Sequence, residues 1–187
     1  LELGVPLTGI TEAVFARSAS GDRTVREASG GVLAGPERIL PPWAAAERKQ
    51  LMQTVARKLR GKMPLIAGCS AYTVAEVAAH AQLAAEHGFD GILVTPPPYM
   101  VPTNREILGF YREVNAAVSL PICAYNWPPG TNVDMSLDLL RSIAELSNVV
   151  AIKNSTANLR HFVDVFFALK DQVRIFGVPM NEIGIML

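Results

Sequence analysis

The sequence predicts an α/β fold, specifically a (β/α)8 barrel of which only part is present. Three observations carry this. From Trp43 onward, short apolar runs alternate with helix-like segments. The strand starts Pro64, Gly91, Pro121, Val149 and Val173 lie roughly 24 to 30 residues apart, the length of one strand, one helix and two short loops. No glycine-rich phosphate loop follows any strand, which favours a barrel over a dinucleotide-binding sheet, with other doubly wound folds as the minority alternative.

Taken in order, "AAAERKQLMQTVARKLRG" is a helix with Leu51, Met52, Val55 and Leu59 on one stripe and a stop at Gly61. "PLIAGC", Pro64 to Cys69, is a strand. "TVAEVAAHAQLAAEHG" is an alanine-rich helix ended by Gly88, and Gly91 to Thr95 is the next strand. "TNREILGFYREVNAAV" opens on a capping box, Thr103 with Glu106, and sets Ile107, Phe110, Tyr111 and Val114 on one face. Pro121 to Tyr125 is a strand, "SLDLLRSIAEL" a helix, "VVAIK" a strand, "NLRHFVDVFFALK" a helix and Val173 to Gly177 a last strand. The strands are continuous apolar runs without period-two alternation, so burial on both faces is expected.

A complete barrel of this kind takes roughly 250 residues, and the chain has 187. Residues 1–43 form a divergent N-terminal segment in which Gly31 to Gly35 is a candidate second strand, and 44–187 form the partial barrel. The first residue is Leu, and the chain is expected to be a piece of something longer.

Lys+Arg and Asp+Glu number 17 each, with no basic run, so nothing in the charge favours nucleic acid or an anionic membrane. No apolar run approaches the roughly 20 residues of a membrane span, and the opening residues lack the basic stretch of a signal peptide. The two cysteines, Cys69 and Cys123, read as reduced core thiols, which points to a cytoplasmic compartment.

Barrel enzymes carry their reactive groups at the C-terminal ends of strands. Lys153 ends one strand, Tyr125 ends the one before it, and Tyr99, in "TPPPYM", follows the one before that. A lysine among apolar walls loses solvation for its charged form, and the free amine is a nucleophile toward ketones. The iminium so formed is an electron sink, and a nearby phenol can move the protons. The plainer alternative is a lysine that snorkels to solvent and a tyrosine that only packs. His80, His87 and His161 show no metal-ligand spacing and read as surface residues. Trp127 either shapes a pocket lip or packs.

The words "AYNWPPGTNVDMS" and "VVAIKNST", with "PLIAGCSAYTVAEVAAHAQLAAEHGFDGILVTPPPYMVPT", resemble the dihydrodipicolinate synthase / N-acetylneuraminate lyase family of Schiff-base aldolases, over about Ala44 to Gly177. That resemblance implies a class I aldolase or lyase acting on pyruvate or another 2-oxo acid. Lys153 matches the Schiff-base lysine and Tyr125 the proton-shuttling tyrosine. Tyr99 matches a second tyrosine that reaches a neighbouring subunit's site, or is a loop aromatic. The resemblance implies no metal or organic cofactor, because the iminium is the electron sink, and a homo-oligomer.

Two departures bear on function. The family's Gly-Thr-Thr-Gly-Glu signature, which holds the substrate carboxylate, has as its counterpart "LAGPERILPPW", where Pro36 and Glu37 both oppose anion binding. Gly130 stands where synthases of the lysine pathway carry an arginine for a second carboxylate, so a lyase of a sugar acid or related 2-oxo acid is favoured over that synthase. The alternative from another class is a catalytically inactive remnant of the family.

Overall fold

The computed structural model describes residues 43–98 and 100–177. The candidate strand Gly31–Gly35 and the segment after Gly177 lie outside them. The sheet and its helices belong to the unit Ala45–Leu187. The elements run α1 (Trp43–Leu59), β1 (Ile66–Gly68), α2 (Val74–Glu86), β2 (Gly91–Val94), α3 (Asn104–Ala117), β3 (Ile122–Asn126), α4 (Pro128–Thr131), α5 (Leu137–Ala144), β4 (Val149–Asn154), α6 (Leu159–Leu169) and β5 (Arg174–Phe176). Pro64 and Pro121, taken from sequence as strand starts, stand just outside β1 and β3, since proline has no N–H for a ladder.

The five strands form one parallel sheet in the order β1-β2-β3-β4-β5. Neighbours in space are thus neighbours in sequence. Right-handed crossovers between such strands place every helix on the same face, whereas a doubly wound sheet must reverse its order to cover both faces. Accordingly α2 packs on α3, α3 on α5 and α5 on α6, a single helical layer. The sheet is an arc of a (β/α)8 barrel, and the doubly wound alternative is excluded.

One expectation is corrected here. The strands are not buried on both faces. Ala67, Ile92, Val94, Ile122, Ala124 and Ile152 point into the helical layer and are buried. On the other face Ile66 and Phe176 are each 51% exposed. Among the described residues no further strand curls round to cover that inner face. The apolar runs are a barrel interior's composition, and the alternation the sequence conceals is one of environment.

Local sequence explains the helices. Thr103 and Glu106 form the expected capping box on α3, with Thr103 N–H donating to Glu106 Oε2 at 2.7 Å. Thr73 and Glu76 form a second one on α2 that the sequence reading missed. The helix-stopping glycines Gly61 and Gly88 both adopt positive φ, +79° and +74°. On α1, Met52 is buried while Leu51 is 65% exposed, so Leu51 leaves the expected stripe. On α3, Ile107, Tyr111 and Val114 are buried, and the Tyr111 hydroxyl donates to Val94 O at 2.7 Å, tying the helix to the end of β2. Burial pushes the Tyr111 phenol far above its ordinary pKa.

Candidate functional site

The site begins with an irregularity in β4. Ile122 pairs with Val149, but Cys123 pairs with Ala151, so Val150 has no partner on β3. This bulge advances β4 by one residue, and every later side chain changes face. Tyr125 therefore lies opposite Lys153, and Asn126 opposite Asn154. Without it Lys153 would point among the helices. With it, Lys153 and Tyr125 share the inner face at the C-terminal ends of adjacent strands.

There the Lys153 Nζ stands 4.3 Å from the centroid of the Tyr125 ring. Both residues are half-buried. The ring face attracts the ammonium and fixes a long side chain. The Tyr125 ring also stacks on Trp127, with centroids 5.7 Å apart and planes 9° from parallel. Trp127 follows two residues later, where β3 gives way to the short helix α4, and is 42% exposed. Its indole covers Gly130, where a Cβ would come within 2.3 Å of the ring.

Below this group the inner face is apolar. A concavity of about 540 Å³ runs along it, lined by Ile66, Leu93, Cys123, Ala151 and Phe176, with Lys153 at its upper end. Side chains fill that space in a closed barrel, so it is the unclosed interior, not a ligand pocket. Cys123 lies here and Cys69 is fully buried, both free thiols. Burial pushes each thiol up to about 11.

Behind the rim, on the helix side, lies a polar bracket that sequence reasoning did not find. Asn126 Nδ2 donates to Asp134 Oδ1 at 2.8 Å and to Asn154 Oδ1 at 2.9 Å, while Asn126 Oδ1 accepts from Met135 N–H at 3.0 Å. Thr156 Oγ1 donates to Asp134 Oδ2 at 2.9 Å. Asn126, Asn154 and Thr156 are all buried. The bracket holds the residues immediately after Tyr125 and Lys153. Its signal in the sequence was the asparagine following each of them. His161 Nε2 lies 3.7 Å from Asp134 Oδ1. All three histidines are half-buried, which corrects their reading as surface residues. Among the described residues no group of three His, Cys, Asp or Glu side chains is placed to hold a metal ion. Tyr99 and the stretch 31–42 lie outside the described residues, so the structure brings together two of the three expected site residues.

Comparison with known proteins places this geometry. The model of the dihydrodipicolinate synthetase family matches residues 41–178. A 4-hydroxy-tetrahydrodipicolinate synthase of Rhodopseudomonas palustris is 30% identical over 159 residues, 84% of this chain and 54% of the relative. One of Afipia carboxidovorans is 32% identical over 179 residues, 95% of this chain and 60% of the relative. The crystal structure of a chloride-inhibited dihydrodipicolinate synthase from Acinetobacter baumannii, complexed with pyruvate, superposes with a TM-score of 0.68 at 30% identity, covering 71% of this chain and 45% of that one. The chain thus spans about half the length of the proteins it matches. Its sheet is part of a (β/α)8 barrel, and the chain belongs to the dihydrodipicolinate synthetase family.

Proposed function

We propose that this chain carries the Schiff-base machinery of a class I lyase or aldolase acting on pyruvate or another 2-oxo acid. The observation that supports it best is the Lys153–Tyr125 pair, side by side at the ends of adjacent strands with the amine 4.3 Å from the phenol ring centroid. Lys153 Nζ attacks the C2 carbonyl, the carbonyl oxygen leaves as water, and the iminium draws electrons from a bond at C3. Either a proton or an aldehyde leaves C3, and the reverse step joins them again. Tyr125 passes the protons. The pyruvate-complexed relative supports the 2-oxo acid as substrate class.

Within the family, Gly130 and the indole above it favour a sugar-acid or related 2-oxo-acid lyase over the lysine-pathway synthase. Tyr99 as a residue reaching a neighbouring subunit, a homo-oligomeric assembly and a cytoplasmic location belong to the same proposal. They rest on the family resemblance and on the free thiols.

The test is reductive trapping. The folded chain is incubated with pyruvate and borohydride and weighed intact. One pyruvate-sized adduct on Lys153, absent in Lys153→Arg, is the expected result. No adduct on a folded sample would leave the inactive remnant as the reading.

A further inference from the structure

We propose that Trp127 is a specificity-determining residue, and that its indole receives the distal part of the 2-oxo acid, selecting an uncharged, flat or apolar group over a carboxylate. This assignment rests on the Schiff-base reading above and adds the substrate class to it. Tyr125 is the neighbour common to the amine and the indole. Lys153 Nζ lies 4.3 Å from the Tyr125 ring centroid, and the Trp127 ring lies parallel to that of Tyr125 at 5.7 Å. A 2-oxo acid held on Nζ through C2 has its carbons beyond C3 free to run along the phenol toward the indole. Trp127 is 42% exposed, so much of its surface is open to a ligand.

The same ring removes the alternative. A Cβ at position 130 would lie 2.3 Å from two indole carbons, so no side chain stands there while the ring holds its place. From Tyr125 to Val133 the lip contains no charged residue at all. A distal carboxylate reaching this lip loses water and gains no cation. An aryl or alkyl group gains a stacking surface.

Two non-cleavable probes separate these cases, 2-oxo-4-phenylbutanoate and 2-oxoglutarate. Neither carries a 4-hydroxyl, so neither undergoes retro-aldol cleavage. Each forms its imine on Lys153 with loss of water, and cyanoborohydride delivers hydride to the C=N bond, giving adducts that differ in mass. In equimolar competition the chain is expected to take the phenyl probe roughly three- to tenfold in preference. Trp127→Ala should bring the ratio near one. Gly130→Ala adds only a methyl group, yet that methyl group displaces the indole. It should lower the ratio as well, and should be silent on the Trp127→Ala background. The ratio is internal to each sample, so it reads selectivity whatever the absolute rate of trapping in a variant. A ratio unchanged in both single variants, with the pyruvate adduct present on the wild-type chain, would overturn this assignment alone. Absence of the pyruvate adduct from the folded wild-type chain would remove the Schiff-base reading and this assignment with it.

Discussion

The side chains of Asn126 and Asn154 meet across the β3–β4 pair at 2.9 Å, one residue beyond Tyr125 and Lys153 respectively. The two inward-facing functional groups are thus backed by an outward-facing bond between their neighbours. Asn126 is completely buried and also serves Asp134 and Met135. Asn126→Ala would leave the Met135 N–H without its acceptor and Asn154 Oδ1 without this donor. The expected cost is about 2–4 kcal/mol, read from the midpoint of urea denaturation. Asn126→Asp should be at least as damaging, because a carboxylate would face the oxygens of Asp134 and Asn154.

Tyr125→Phe keeps the ring that Lys153 and Trp127 contact and removes only the hydroxyl. Trapping of pyruvate should survive in this variant. Exchange of the pyruvate methyl hydrogens with deuterium from solvent, which requires deprotonation at C3, should slow by about 100-fold or more. Proton NMR of pyruvate in heavy water reads this without any knowledge of the aldehyde. Equal exchange rates in wild type and variant would remove Tyr125 from the proton path.

The two capping boxes are independent stability tests. Thr73→Ala and Thr103→Ala each remove the side-chain acceptor for an N3 N–H, at 3.3 and 3.4 Å, and should cost about 1 kcal/mol apiece. The two caps sit on separate helices, so the losses should add in thermal melts. The backbone and hydroxyl hydrogen bonds from Thr103 hold the Glu106 carboxyl below its ordinary range. Its contribution is therefore present above the unfolded pKa and fades as pH falls through the folded one.

The two thiols give a prediction in alkali. Both are raised from 9.0 to about 11 by burial. In the unfolded chain they ionise first, so their contribution to stability is complete below pH 9 and is lost as pH rises toward 11. Relative to a Cys69→Ala/Cys123→Ala variant, the wild-type chain should lose stability more steeply across that window. Near neutral pH a thiol reagent should leave the fully buried Cys69 unreacted until denaturant is added.

Much of the barrel was legible because the spacing of its units and their caps is written locally. Gly88 and the Thr103–Glu106 pair announce the end of α2 and the start of α3 within a few residues. Lys153 and Tyr125 were legible because a cation and a phenol ending apolar strands need a reason. What was hidden depends on contacts distant in sequence. Asp134 touches Thr156 across 22 positions, and nothing in either local word says so. The exposure of Ile66 and Phe176 depends on strands beyond those described, which no reading of their own segments supplies. Trp127 was left open between lip and packing because only coordinates reveal the ring lying over Gly130.

The unpaired Val150 carries a consequence for how this strand tolerates change in length. Removing it would leave Ala151, Ile152 and Lys153 opposite Cys123, Ala124 and Tyr125 as they stand now, in a regular ladder with the amine still on the barrel interior. One residue added between Ala151 and Lys153 would instead move the lysine one place along and send the amine into the helical layer. A Val150 deletion should therefore still form the imine, whereas a single-codon insertion in that interval should abolish it.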